Sequence, residues 1–292
     1  MNKKFITMAT SLVVGGSLLL GTGLANASQL SGYEAYKTAA IDTKNLKNET
    51  VDLKLSVVDN GSNKANLSSN LKLNLASNTM SSTTTLKEGN TTQSSDSYKQ
   101  DGESITKNSN SDQYLVRTIS PNEHDKIHEV QNPTVAKSLE VVVDTLVGNM
   151  KDKVTTTNNA DGTKNVTINL NENEVTPLVN ALTSIGLTKG SEQENYNDGK
   201  DLSIRNVLPQ LQSDIVIKKV NSTGKISKDD IITSQTAAIT IEGKDAQGKQ
   251  HEITLNVDLK LSNINNTTPS KIDLAGKQVK NITDIRGENK YK

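Results

Sequence analysis

The chain of 292 residues has no cysteine, no tryptophan, one phenylalanine and five prolines. Each shortage closes off a class of protein. Without cysteine there is no disulfide framework and no thiolate nucleophile, so burial alone must stabilise the fold. Basic and acidic residues balance at 33 each, a charge pattern that leaves no electrostatic footprint for nucleic acid. No G-x-G-x-x-G, P-loop or G-x-S-x-G pattern occurs. Neither phosphate cradling nor a serine on a nucleophile elbow is therefore expected.

The aromatic shortage deepens at the N-terminus. Lys3 and Lys4, an apolar run from Leu12 to Leu24 and the small residues Ala25-Asn26-Ala27 have the form of a secretory signal. Cleavage after Ala27 removes Phe5, so the aromatics from Ser28 onward are six tyrosines, and acidic residues then exceed basic ones by two. The expectation is a secreted, extracytoplasmic protein, and the lack of cysteine fits a Gram-positive source. No cysteine follows the apolar run, and Gly287-Glu288-Asn289-Lys290-Tyr291-Lys292 has no sorting motif. Neither a lipid anchor nor a sortase anchor is expected.

What is present is chiefly alternation. Ser31 to Asn45 reads as a helix with Tyr33, Tyr36 and Ala40 on one face. Val51, Leu53, Leu55 and Val57 alternate, turn at Asp59-Asn60-Gly61, and return through Leu67, Leu71, Leu73 and Leu75 as a hairpin. From Ser77 to Gln113 the chain is rich in Ser, Thr and Asn. Thinly buried strands are expected there from the β-branched Thr and the turns Glu88-Gly89-Asn90 and Asp101-Gly102, with disorder as the alternative. Residues 153–158 and 165–170 flank Ala160-Asp161-Gly162 as another hairpin. In the last third, Ile215 and Ile217 begin a run turning at Ser222-Thr223-Gly224. Ile231 to Glu242 then pairs across Asp245-Ala246-Gln247-Gly248 with Ile253, Leu255, Val257, Leu259 and Leu261.

Helical spacing is concentrated between Pro133 and Leu211. Val135, Leu139, Val142 and Leu146 mark one helix, Val175, Leu178, Val179, Leu182 and Ile185 a second, and Leu202, Val207, Leu208 and Leu211 a third, with Pro209 either bending it or ending it. The expected fold class is α+β: a curved antiparallel β-sheet, an unclosed half-barrel, covering this central group of helices, plus an N-terminal helix. A single domain is expected over residues 28–292, with a polar C-terminal tail.

Candidate chemistry is sparse. His124-Asp125-Lys126-Ile127-His128 has the histidine spacing of zinc peptidases but Asp in place of the general-base Glu, so a solvated helix face is expected. Ser69-Asn70-Leu71-Lys72 and Ser104-Ile105-Thr106-Lys107 have S-x-x-K spacing within strands, where Lys points away from Ser. Asp161-Gly162 and Asp198-Gly199 lack the closing carboxylate of a calcium loop. No catalytic residue, metal or cofactor is expected, and no enzyme.

An exported chain with a capped N-terminal helix, a meander of long strands, inserted helices and a return to paired strands resembles the LolA-like lipoprotein-carrier fold in architecture, without shared motif residues. The resemblance implies a lidded half-barrel around an apolar cavity, and hence a lipid or other hydrophobic ligand. On that reading Val135, Leu139, Val142, Leu146, Leu178, Leu182 and Ile185 line the gap between sheet and helices. The rival expectation is a solid-cored structural or interaction protein that contacts a component of the cell envelope or matrix.

Overall fold

The computed structural model describes residues 32–119, 153–175, 202 and 207–282. One helix, α1 (Gly32–Lys44), precedes a first meander of strands: β1 (Asn48–Asp59), β2 (Ser62–Asn74), β3 (Thr79–Glu88), β4 (Thr91–Gln100), β5 (Glu103–Asn108) and β6 (Tyr114–Thr118). A second meander follows with β7 (Val154–Asn158), β8 (Lys164–Asn171), β9 (Ser213–Ile226), β10 (Ile232–Lys244) and β11 (Gln250–Ser262), and then β12 (Val279–Asn281). All twelve strands form one open sheet in the order β12-β6-β5-β4-β3-β2-β1-β11-β10-β9-β8-β7.

The meanders follow from the sequence at short range. Asn60 and Gly61, and likewise Asp101 and Gly102, both adopt positive φ, as a two-residue hairpin turn of right-handed strands requires. The alternating apolar residues then bury one face: Val51, Leu53 and Val57 are all at most 6% exposed. The two meanders join where β1 pairs antiparallel with β11, from Thr50 opposite Ser262 to Asp59 opposite Ile253.

The segment 77–113 is ordered as three strands, in line with its expected turns. Serine and threonine suffice there because main-chain ladders carry the pairing, and hydroxyl pairs such as Ser69 Oγ to Thr84 Oγ1 at 2.9 Å satisfy the inward polar groups.

Three expectations are corrected. Among the described residues there is no central group of helices covered by an antiparallel sheet; the architecture is one open mixed sheet with a single helix. The third expected helix fails over 207–211, which is irregular around Pro209; proline removes a helical hydrogen bond and clashes with the preceding turn. The sheet is mixed because β12 runs parallel to β6, Val279 opposite Tyr114. Its three residues Val279, Lys280 and Asn281 show no apolar alternation, so its sequence carried no strand signal. The turn expected at Ser222-Thr223-Gly224 is also absent, since β9 continues to Ile226 and the chain reverses at Ser227–Asp230.

Helix α1 packs by its tyrosine face on Val154, Val166, Ile226 and Ile232. Tyr33 and Tyr36 are 2% and 1% exposed, so this second core cluster has an aromatic centre, supplied by the helix face that carries the two tyrosines. Thr43 ties the helix to the sheet. Its hydroxyl donates to the Ala39 carbonyl at 2.6 Å and accepts the Ile232 main-chain N–H at 2.8 Å.

Two glycines separate close approach from mere absence of a side chain. A Cβ on Gly32 would lie 2.5 Å from the Val154 carbonyl oxygen, a backbone atom that cannot step aside. A Cβ on Gly224 would meet only ordinary contacts, 3.7 Å from Tyr36. Gly32→Ala is expected to lower stability by about 1–3 kcal/mol. Gly224→Ala, within a strand, is expected to be neutral or to raise stability by up to about 1 kcal/mol. Urea denaturation of the two variants checks both.

Candidate functional site

The strand registers divide the sheet into two chemically different faces. The inner face carries Leu53, Leu55 and Val57 of β1, and through the ladders Leu67, Leu255, Val257, Ile239 and Val220. Its rims are sealed. Ala65, Val57 and Leu170 are buried, whereas Leu55, Leu255, Ile239 and Val220 between them are only partly buried. Six strands from β2 to β8 thus form an aliphatic floor roughly 24 Å across at ordinary strand spacing. Val175, Leu202 and Leu211 pack on one part of it and α1 on another.

Towards β3–β5 the same face turns polar. Ser82, Ser95, Ser97, Ser104 and Thr106 share it with Met80 and Leu86, as their pairings require. The outer face is closed differently, by the stretch after β11. Asn48 Nδ2 donates to the Thr267 carbonyl at 2.9 Å, Ser81 Oγ accepts the Ser270 N–H at 2.9 Å, and the Gln100 side-chain amide both donates to and accepts from the Ile272 main chain. The cleft beside this strap, about 390 Å³, is lined by Asn74, Asn78, Asp101, Lys271 and other mostly polar residues. It suits water better than an apolar group.

Ionisable residues stand at both ends of the inner face. At one end Asp59 and Asp245 flank His251, Nδ1 to Asp59 Oδ1 at 2.9 Å and Nε2 to Asp245 Oδ2 at 3.2 Å. Lys64 lies 3.9 Å from the other oxygen of Asp59. Because both partners are carboxylates, both ring nitrogens donate and the imidazolium is favoured. The hydrogen bond from His251 to Asp59, and secondarily that to Asp245, raises the imidazole pKa above its ordinary value. A ring occupied on both sides has no free nitrogen to act as a base, so the cluster is a latch between hairpins.

At the other end is Glu49, 8% exposed, with its Oε2 buried and without a hydrogen-bond partner. Burial pushes its pKa up to about 7. Tyr36 is likewise pushed up to about 12 by burial, offset in small part by Gln235, which lies beside the phenol without completing a well-formed hydrogen bond.

The cavity-lining residues expected from sequence, Val135, Leu139, Val142, Leu146, Leu178, Leu182 and Ile185, lie outside the described residues, as do His124 and His128. Of the remaining expected motifs, Ser69 faces Thr84 on the inner face while Lys72, three residues on, points outward. Ser104 and Lys107 are split in the same way, and Lys107 stacks over Tyr114 with Nζ 5.8 Å from the ring centre. Asp161 serves as a turn residue, its Oδ1 accepting from the Thr163 N–H and hydroxyl. Among the described residues no group of three or more His, Cys, Asp or Glu is arranged to hold a metal ion.

Sequence reasoning placed the ligand between sheet and helices but named only helix residues and none from the sheet's inner face. The signal was available: Glu49 continues the period-two series Val51, Leu53, Leu55, Val57 at one end and Asp59 continues it at the other, while His251 precedes Ile253 by the same step.

No family model matches the chain, and no curated protein matches it. Among solved structures, the LolA superfamily protein from Nitrosomonas europaea is 8% identical and covers 84% of this chain and 96% of its own, with a TM-score of 0.23. A β-barrel-like protein of a domain of unknown function from Brucella abortus is 9% identical and covers 74% of this chain and 97% of its own, with a TM-score of 0.18. These are weak likenesses of fold. The reading of the site rests on the chain's own geometry.

Two pH responses of the same sign follow. The His251 pKa is raised on folding, so its contribution is complete below about 6.5 and is lost as pH rises through the folded value. Glu49 binds its proton more tightly when folded, so stability falls as pH rises from about 4.5 towards 7. His251→Gln is expected to cost about 1–2 kcal/mol at pH 6 and to flatten the alkaline side of the stability profile. Glu49→Gln is expected to stabilise the protein at pH 8 by on the order of 1–2 kcal/mol, discounted for solvent screening. Denaturant midpoints measured from pH 4 to 9 read both effects.

Proposed function

We propose that the protein is an exported, non-enzymatic binder of a lipid or similar hydrophobic ligand, held against the inner face of the sheet. The observation that carries this reading is the aliphatic floor, whose centre at Leu55, Leu255, Ile239 and Val220 is only partly buried between sealed rims. A sheet whose task was purely structural would gain by burying these residues fully, at roughly 25 cal/mol for each Å² removed from water. Branched aliphatic side chains present no hydrogen-bonding demand, so the floor accommodates acyl chains by shape and exclusion of water rather than by directed contacts.

Export is part of the same proposal. A cysteine-free sheet protein needs no oxidative folding machinery, and a carrier of apolar cargo is useful where lipid must cross water. Native mass spectrometry of the full-length protein recovered from the culture medium tests both parts. The expected result is a chain beginning at Ser28 that carries lipid adducts or takes up an added short-chain lipid. A purified protein that neither carries nor takes up lipid overturns the carrier reading in favour of the solid-cored interaction protein.

A further inference from the structure

Resting on that reading, we propose that the ligand is a long-chain carboxylate, its acyl chain on the aliphatic floor and its head held between the Lys37 ammonium and the Tyr36 hydroxyl of α1. The registers put Val220, Ser222 and Gly224 of β9 opposite Ile239, Ala237 and Gln235 of β10, in three successive inward rows. The first two rows belong to the floor, which Leu55 joins through Val257. The third lies under the helix. A Cβ on Gly224 would be 3.7 Å from the Tyr36 ring, and the Tyr36 hydroxyl lies beside the Gln235 side chain. From Val220 to Gly224 is roughly 13 Å along the strand. On these two strands only Ala237 and Ser222 stand between, so small side chains lead from the floor to the helix. Ile168 walls this trough, partly buried and packed against both the floor cluster and the helix cluster.

Two polar groups of α1 call for a partner. Tyr36 is 1% exposed, and its hydroxyl is buried without a hydrogen bond. Lys37 is 5% exposed, and among the described residues it has no ion pair or hydrogen bond, unlike Lys153, Lys164, Lys218 and Lys244, which are all paired with carboxylates. An unpaired ammonium taken out of water is costly, and a carboxylate seated beside it recovers that cost. The sheet beneath offers none, since the inner-face residues of β8 to β11 in these three rows are all uncharged. Nor does Glu34, about one turn back on α1, pair with Lys37.

The course of the helix turns Lys37 to the floor side. α1 crosses the strands from β7, where Gly32 closes on Val154, to β10, where Thr43 accepts the Ile232 N–H. Each residue of a right-handed helix is turned about 100° from the one before. With Tyr36 against the sheet, Lys37 therefore stands on the flank that looks along β9 from Gly224 towards Val220. The phenol keeps its proton to donate, because burial pushes its pKa up to about 12. Gln235 donates to Ser222 Oγ at 3.1 Å and has a second amide N–H. Charge and neutral donors thus converge at one end of the trough, as a two-oxygen carboxylate requires.

The test titrates the full chain by calorimetry with decanoate and with decanol at pH 8, where decanoate is ionised. Wild-type protein is expected to bind decanoate roughly tenfold more tightly than decanol, the worth of about one charge-assisted hydrogen bond. Lys37→Met, which keeps the side chain's length without its charge, is expected to remove that preference and leave decanol affinity unchanged, which also reports that the variant is folded. Its melting temperature without ligand is expected to be no lower than that of the wild type, because an unpaired buried charge has gone. Tyr36→Phe, the milder change, is expected to weaken decanoate binding about threefold. Equal affinity of the wild type for both probes, a preference that survives in Lys37→Met, or unchanged decanoate affinity in Tyr36→Phe overturns the head assignment while leaving the carrier reading intact. Binding of neither probe overturns the carrier reading itself. Acetate that binds as tightly as decanoate overturns a lipid as the source of the carboxylate.

Discussion

The pairing of β1 with β11 is the constraint on which the rest of the molecule depends. The first meander is locally determined by its own turns, but a six-strand and a five-strand meander become one sheet only along this seam. It brings together residues about 200 positions apart, so its formation carries a large loop-closure cost. The chain reinforces it at both ends. Asn60 accepts from the Glu252 N–H and donates to the Gln250 carbonyl, and His251 reaches Asp59 beside it. At the other end Thr50 and Thr267 share a hydroxyl bond at 2.8 Å, buried beneath the strap.

The seam also creates the site. Leu55 has Leu67 on one side by local hairpin register and Val257 on the other only because of the seam. The floor is therefore a product of long-range pairing, continuous across both meanders. Placing ionisable groups at its ends costs stability, yet the two ends are handled differently. His251 has carboxylates on both nitrogens, whereas Glu49 has no partner for its buried oxygen and its pKa is raised by burial to about 7. Both responses make the seam firmer towards mildly acidic pH.

Much of this was legible in the sequence. The hairpin turns of the first meander, the inward series of β1 and β11, and the helix with Tyr33 and Tyr36 on one face all follow from periodicity and turn chemistry, which act over a few residues. The helical spacing of the central stretch was overweighted. Val207, Leu208 and Leu211 have the right spacing, but Pro209 and the nearby sheet make them an irregular cover, with Leu211 packed over Gly243. The serine-rich strands carried only half a signal, because their pairing lies in main-chain bonds that side-chain pattern does not encode.

By itself, then, the sequence determined composition, turns, strand alternation and the aliphatic nature of the inner face, since these depend on each residue and its immediate neighbours. Only the tertiary structure decided that the two meanders share one sheet, that Ser222 stands beside Ala237 and Gly224 beside Gln235, and that the polar C-terminal stretch is a strap ending in a parallel strand. The reason is physical. Cross-strand neighbours are set by register between distant segments, and register depends on the whole set of ladders forming together.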